Sequence, residues 1–467
     1  MNEPLHRLWG ATVGRDPSAI ALSDAGTGRS WTRAALAAAA CGWAESFARE
    51  TGKTTPLRRR VAMSVPNGAE WLEVFLGLMA SGAVPVPIDP SEPEGVQLAT
   101  ARSIGAAFLW REGRLHRLAG AARPPSPAPG ARGECLVKLT SGTSGAPKAL
   151  PVTHAQMAAD GRQVCESMGI GPDDSNLAAI PLGYSYGLGN LVIPLISQGT
   201  RIICISGALP HAIASDAARF RPTVFPAVPP LLRALVESDL PAGSLSSLRL
   251  VISAGSPLAP EVARSFARKF GVRVHGFYGT SETGGIAFDR TGDATLAGRS
   301  VGTPLAGVRV ALGNAGRFTV TSPSVVGRGR FSPPDRAALS ARGELILLGR
   351  TDRVVKVAGR RVDLAQVEAA LRSVPGVRDA FVHMADGADA PLSAAVASRL
   401  SSSDIRRLLR ARLASWKIPS RIVALAAFPA TARGKTDAES LRQILGAPRT
   451  ATSISTLRAA RQMSAQR

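Results

Sequence analysis

Hydroxyls, glycines and a lysine are crowded into Leu139-Thr140-Ser141-Gly142-Thr143-Ser144-Gly145-Ala146-Pro147-Lys148. Gly142 and Gly145 let the backbone turn tightly and approach a ligand with no Cβ in the way. Successive backbone N–H groups in such a turn form a concave anion site. Thr140, Ser141, Thr143 and Ser144 add hydroxyl donors, and Lys148 adds a point charge. The set suits a polyphosphate. A Walker A loop would need Gly-x-x-x-x-Gly-Lys-Ser/Thr. Here Ala146-Pro147 precedes the lysine and Ala149 stands where the magnesium-binding hydroxyl should be, which argues against a P-loop ATPase.

The run resembles the phosphate loop of the adenylate-forming superfamily: acyl-CoA synthetases, peptide-synthetase adenylation domains and luciferases. The usual form is Thr-Ser-Gly-Thr-Thr-Gly-x-Pro-Lys-Gly, and the departures are Ser144 and Ala149. His275-Gly276-Phe277-Tyr278-Gly279-Thr280-Ser281-Glu282-Thr283-Gly284 resembles the family's Tyr-Gly-x-Thr-Glu segment, with Ser281 replacing Thr. Tyr278 offers a flat face to an adenine ring, and Ser281 a donor to the α-phosphate. Glu282 is a hard oxygen ligand for Mg²⁺, which binds through few carboxylates plus substrate phosphates. Ala254-Gly255-Ser256 resembles the small-residue turn over the other face of adenine.

The resemblance extends to the C-terminal third. Asp335 stands 350 − 335 = 15 residues before Arg350, the family's spacing between a ribose-binding Asp and a Gly-Arg pair, although Ser332-Pro333-Pro334 replaces the usual Thr-Gly. Asp352 matches the family's hinge, about which the small domain rotates between adenylation and thioester formation. Hinges of this kind absorb large φ/ψ changes at few residues. Pro429-Ala430-Thr431-Ala432-Arg433-Gly434-Lys435 matches the loop whose lysine serves adenylation. Pro181-Leu182-Gly183-Tyr184-Ser185-Tyr186-Gly187 matches the segment beside the acyl pocket, with Tyr184 where His is common. Gly183, Gly187, Gly284 and Gly285, with Gly276 nearby, point to room for an alkyl chain or an aryl ring.

The resemblance implies ATP, Mg²⁺ and CoA as reactants or cofactors, with Lys435, Glu282 and Ser281 catalytic. The partners are a carboxylic acid and CoA, or an acyl carrier protein as second choice. The reaction implied is attack of the carboxylate on the α-phosphorus, then displacement of AMP by a thiol. Luciferases and β-lactone synthetases also make adenylates, so light or a lactone is the rival outcome. A non-catalytic polyanion-binding protein is the rival of another class.

The elements that must position these residues are legible as periodicity. Arg60–Val65, Leu177–Ile180, Arg201–Ile205, Thr223–Ala227, Leu248–Ser253 and Val272–Gly276 read as strands, and Ala69–Ala80, Pro230–Ser238 and Pro260–Phe270 as helices. Strands alternating with helices imply an α/β fold whose sheets are covered on their faces. After Arg350 the pattern becomes a small α+β unit. It holds a hairpin around Gly359, a helix over Leu364–Arg372, strands at Ala380–Met384 and Ser393–Ala397, and a helix over Ser403–Ala414. The expected division is a large N-terminal domain over 1–349, a hinge over 350–353, a small mobile C-terminal lid over 354–447 and a basic tail from 448 onward.

The chain of 467 residues carries a formal charge of +22, spread over Arg-rich positions, and is read as a compositional habit with no nucleic-acid stripe. Against that habit only seven lysines occur: Lys53, Lys138, Lys148, Lys269, Lys356, Lys417 and Lys435. Arg and Lys present different shapes, so a retained lysine marks a place for a compact ammonium. No uninterrupted apolar run is long enough for a membrane span. Met1 to Arg15 lacks a signal core, and the four scattered cysteines carry no metal spacing. The expected location is the cytoplasm.

Overall fold

A computed structural model describes residues 3–52, 59–118, 133–140, 148–350, 354–357, 360–384, 391–410, 412–413, 417–431 and 436–446. The chain divides into one unit of Met1–Pro333 with Ala337–Leu347, and a second of Pro334–Arg336 with Leu348–Arg467.

The larger unit is built on a nine-stranded sheet. Its order is Thr303–Pro304, Gly284–Phe288, Val274–Thr280, Leu250–Ser253, Val224–Ala227, Ser175–Ala178, Arg201–Cys204, Ile20–Asp24 and Ser30–Thr32. The interior strands pair in parallel, and antiparallel pairs close both edges. Val224–Ala227 and Leu250–Ser253 are buried at every residue, as parallel strands covered on both faces must be. Pro229 and Pro260 open the helices Pro229–Glu237 and Pro260–Phe270, where a missing N–H costs nothing. A second sheet orders Val84–Pro87, Arg60–Ser64, Phe108–Arg111 and Arg114–Arg117. The strands Glu134–Thr140 and Lys148–Thr153 form a separate antiparallel hairpin.

The smaller unit has a hairpin of Val354–Val357 with Arg360–Asp363 and a sheet of Val377–Met384, Leu392–Ser398 and Arg421–Leu425. Leu364, Val367 and Leu371 of the helix Leu364–Arg372 pack on this sheet with Ile405 and Leu409.

Two readings shift. The strand expected to stop at Gly276 runs to Thr280, because antiparallel pairing with Gly284–Phe288 carries it past two glycines. The strand expected at Leu177–Ile180 is Ser175–Ala178. Its polar start is tied down by Ser175 N–H donating to Thr223 Oγ1 at 3.0 Å. The helix expected over Ser403–Ala414 is observed as Ser402–Leu409, with residues 411 and 414–416 outside the described set. The basic tail from 448 and Gly359 also lie outside it.

Candidate functional site

The site grows from the carboxyl ends of the parallel strands, where open α/β sheets bind ligands. Ser253 pairs with Gly276, so Ala254, Gly255 and Ser256 leave the sheet alongside Phe277 and Tyr278, about one strand spacing of 4.8 Å away. Ala254 N–H donates to the Ala227 carbonyl at 3.3 Å, and Gly255 takes φ +90°, a conformation that suits only glycine. Gly255 and Ser256 are exposed, and Tyr278 is half-buried.

Beyond Tyr278 the chain makes a tight turn through Ser281-Glu282-Thr283. Thr280 and Thr283 close it on themselves: each backbone N–H donates to the other's hydroxyl at 3.3 Å. Gly279 is required there, since a Cβ would lie 2.4 Å from the Gly284 carbonyl. Four hydrogen bonds from three other segments grip the turn and the strand after it. Ser185 Oγ donates to Ser281 Oγ at 2.9 Å. Ser324 Oγ donates to the Thr283 carbonyl at 2.8 Å. Val326 N–H donates to the Glu282 carbonyl at 2.8 Å. Asp160, on the helix His154–Met168, accepts from Gly285 N–H at 2.9 Å. The Glu282 side chain is left half-buried at the turn.

The lysine-closed loop is joined to this turn through its flanks. Thr140 ends one strand and pairs with Lys148, which begins the next. The loop therefore connects two antiparallel strands, whereas a P-loop connects a strand to a helix. Thr140 Oγ1 donates to the Lys148 carbonyl at 3.4 Å, and Lys148 is exposed. Ser141, Gly142, Thr143, Ser144 and Gly145 lie outside the described residues. The strand after the loop ends in a capping box: Gln156 N–H donates to Thr153 Oγ1 at 3.2 Å and Thr153 N–H to Gln156 Oε1 at 2.9 Å. Gln156 Nε2 then donates to the Val325 carbonyl at 3.0 Å, one residue from the donor that holds Glu282. On the other flank Lys138, two residues before Thr140 and so on its face of the strand, places its ammonium in the field of Asp160 and Glu282.

Burial pulls Lys138 below the usual lysine range, opposed by the charges of Asp160 and Glu282. Burial likewise pushes Asp160 above the usual aspartate range, opposed by Lys138 and the Gly285 N–H.

Tyr184 donates its hydroxyl to Asp89, whose other oxygen accepts from Ser91 N–H at 2.9 Å. The glycines were expected to mark room. Instead, the position a Cβ would take is already occupied. At Gly183 it meets Pro87 Cβ at 2.6 Å, at Gly187 the Pro181 carbonyl at 2.0 Å, and at Gly276 Thr295 Oγ1 at 2.9 Å. At Gly284 it meets Asp160 Oδ1 at 2.2 Å, and at Gly285 Leu305 Cδ2 at 2.7 Å. These glycines permit close packing on that side.

Asp335 opens the strand Asp335–Leu339 and Arg350 ends its partner Leu345–Arg350. Ser340 N–H donates to the Glu344 carbonyl at 2.9 Å and turns the chain back, so both residues stand at one end of the strand pair. The Arg350 side chain, Asp352 and Lys435 lie outside the described residues. Among the described residues no group of three or more His, Cys, Asp or Glu could hold a metal by itself, and no helix is long and apolar enough to cross a membrane. Cys135, Cys165 and Cys204 are buried and Cys41 is exposed, all free.

Lys138, Asp160, Asp89 and Ser185 had no role in the sequence reading. Lys138 was visible only as one of seven lysines in an arginine-rich chain. The others carried no local signal.

A profile described as AMP-binding enzyme matches residues 10–118 and 92–328, and one described as AMP-binding enzyme C-terminal domain matches 366–435. The chain is 27% identical over 365 residues to a 2-hydroxy-7-methoxy-5-methyl-1-naphthoate–CoA ligase from Streptomyces carzinostaticus, spanning 68% of this chain and 63% of that relative's length. It is 26% identical to a feruloyl-CoA synthase from Amycolatopsis sp, over 80% of this chain and 87% of the relative. It is also 26% identical to a benzoate–CoA ligase from Thauera aromatica, over 92% and 93%. Among solved structures, O-succinylbenzoate coenzyme A synthetase from Bacillus subtilis in complex with AMP has a TM-score of 0.80 at 21% identity, covering 96% of this chain and 99% of that one. At that identity the likeness establishes the fold.

Proposed function

The chain belongs to the AMP-binding enzyme family, and on that premise we propose that it activates a carboxylic acid with ATP and passes the acyl group to CoA. The carboxylate oxygen attacks the α-phosphorus, the bond to pyrophosphate breaks, and an acyl-adenylate forms. The CoA thiolate then attacks the acyl carbon and AMP leaves. Three relatives named for naphthoate, ferulate and benzoate favour an aryl acid over a fatty one.

The observation that carries this reading is the rigidly held Ser281–Thr283 turn. Its Glu282 carboxylate and Ser281 hydroxyl follow Tyr278 on the strand that pairs beside the Ala254–Ser256 turn, and Tyr278 and that turn are assigned to the adenine ring. A substrate carboxylate and a triphosphate repel, so catalysis depends on preorganised charge and donors. Thr140 and Lys148 flank the loop that would receive the β- and γ-phosphates. Glu282 suits Mg²⁺ as one carboxylate among phosphate oxygens, and its half-buried position keeps it available for that. A bound Mg²⁺ would neutralise phosphate charge. Asp335 is assigned to the ribose hydroxyls and Arg350 to the adenylate. Tyr184, held by Asp89, is assigned to the acyl side. Lys435 is assigned to adenylate formation and Asp352 to the swing that exchanges it for the thiol-transfer hairpin.

The test is pyrophosphate release over benzoates, cinnamates, naphthoates and fatty acids, with and without CoA. Release of pyrophosphate and AMP with formation of an aryl-CoA is expected. Adenylate released only to a carrier protein would move the acceptor. No turnover with any acid, together with salt-sensitive binding of polyanions, would refute the reading.

A further inference from the structure

The proposed chemistry gives no task to Ser185, yet the chain around it is fixed on both sides by distant segments. Two of the ties come from the second sheet. Its strands Arg60–Ser64 and Val84–Pro87 pair in parallel, so the loops at their carboxyl ends emerge side by side. Each loop sends one side chain to the residues before Ser185. Asn67 binds the backbone twice: its Nδ2 donates to the Ile180 carbonyl at 2.9 Å, and its Oδ1 accepts from Leu182 N–H at 2.9 Å. Asp89, 9% exposed, accepts from the Tyr184 hydroxyl. On the other side Tyr186 donates its hydroxyl to the Ile252 carbonyl at 3.2 Å, and Leu188 N–H donates to the Tyr184 carbonyl at 2.7 Å. Ser185 opens the short helix Ser185–Gly187, which runs directly into the π-helical turn Leu188–Val192, a distortion common near functional sites.

With its neighbours held, the Ser185 hydroxyl has one hydrogen-bond partner among the described residues, Ser281 Oγ at 2.9 Å, and Ser185 is the donor. A serine hydroxyl carries one hydrogen and two acceptor lone pairs. Ser281 therefore receives a hydrogen from Ser185 and keeps its own, which meets no acceptor among the described residues. The Ser281 O–H bond is turned away from Ser185 and is available to a ligand at the turn. Accepting one hydrogen bond also polarises a hydroxyl and strengthens the next bond in which it donates.

We propose that Ser185 is a positioning residue for Ser281. It fixes the direction of the Ser281 hydroxyl so that this hydrogen points to a phosphate oxygen of the adenylate, and Asn67 and Asp89 hold the segment that carries Ser185. Without Ser185 the Ser281 hydroxyl rotates among its staggered positions and nothing selects the productive one. The inference rests on the proposed function for the ligand of Ser281, and on the hydrogen-bond geometry for the role of Ser185.

The experiment is a double-mutant cycle in the full chain: wild type, Ser185→Ala, Ser281→Ala and the double variant, read by acid-dependent pyrophosphate release and by thermal melting. Ser281→Ala should lose about 10²–10³-fold in kcat, the range for removing one preorganised donor. Ser185→Ala should lose about 3–10-fold in kcat, the weight of one neutral hydrogen bond, while KM for the acid and for ATP changes little. The double variant should match Ser281→Ala within about 2-fold, because a residue that acts only through Ser281 has nothing left to orient. Losses that multiply in the double variant overturn the inference and leave the proposed function standing. An unchanged kcat in Ser185→Ala does the same. The bond is shared, so Ser185→Ala should lower the melting temperature no more than Ser281→Ala does. A larger drop would show that Ser185 serves the fold through other contacts, and overturns the inference as well. If wild type releases no pyrophosphate with any acid, the proposed function falls and this inference falls with it.

Discussion

Replacing Gly284 by alanine probes the turn most directly. Gly284 has φ +70°, and its added Cβ would lie 2.2 Å from Asp160 Oδ1 and 2.5 Å from Asp160 Cγ. Two costs add. The left-handed conformation costs an alanine about 1–2 kcal/mol. Asp160 must also retreat, which breaks its 2.9 Å bond to Gly285 N–H and leaves a buried donor unpaired, at about 1–3 kcal/mol. Together the larger unit should lose about 2–5 kcal/mol. Gly343→Ala is the matched control. Its φ is +73° and a Cβ there would meet nothing within 4 Å, so only the conformational cost applies. Thermal and urea unfolding of both variants measure the difference, which isolates the Asp160 contribution. Pyrophosphate release should fall in Gly284→Ala and hold in Gly343→Ala. Equal destabilisation by the two substitutions would refute the argument that Asp160 fills the space Gly284 leaves.

Other predictions test the remaining assignments. Lys435→Ala should bind ATP but lose adenylate formation by about 10²–10³-fold, the range for removing one preorganised charge donor; near-normal acid-dependent pyrophosphate exchange would reject its role. Asp352→Pro should spare pyrophosphate exchange and depress aryl-CoA formation, whereas equal loss of both steps would contradict a hinge there. Burial, with a smaller contribution from His6, lowers the His154 pKa from 6.5 to about 4. Its Nδ1 accepts from Leu5 N–H at 3.1 Å, which requires the neutral ring. The unfolded chain binds this proton near pH 6.5 and the folded chain only near pH 4, so stability should fall as the pH drops from 6.5 to 4. His154→Gln should flatten that part of the melting-temperature profile. An unchanged slope would place the acid sensitivity elsewhere.

Much of the fold was legible because its signals are local. The helices Ala69–Ala80, Pro260–Phe270 and Leu364–Arg372 have the bounds their periodicity implies. The all-apolar strands announced a sheet covered on both faces. Errors fell where pairing overrode local preference, as when Val274–Thr280 ran on through Gly276 and Gly279 to meet Gly284–Phe288.

The motifs with their own chemistry could also be found in the sequence: the hydroxyl-rich loop closed by Lys148, and Tyr278 to Glu282. A motif states which groups are present within a few residues, and their types and spacing limit what they can bind. What holds them could not be read this way. Asp160 lies 125 positions from Gly285, and Ser185 lies 96 positions from Ser281. No short-range pattern encodes such pairs. The glycines show the same limit, since a glycine reads alike whether its missing side chain leaves open space or makes way for a neighbour. At Gly284 only the packed structure shows the neighbour, the carboxylate of Asp160. The sequence alone thus determined the chemical groups and their order along the chain. The tertiary structure decided which buried charges compensate one another, because burial and through-space fields depend on where distant segments meet.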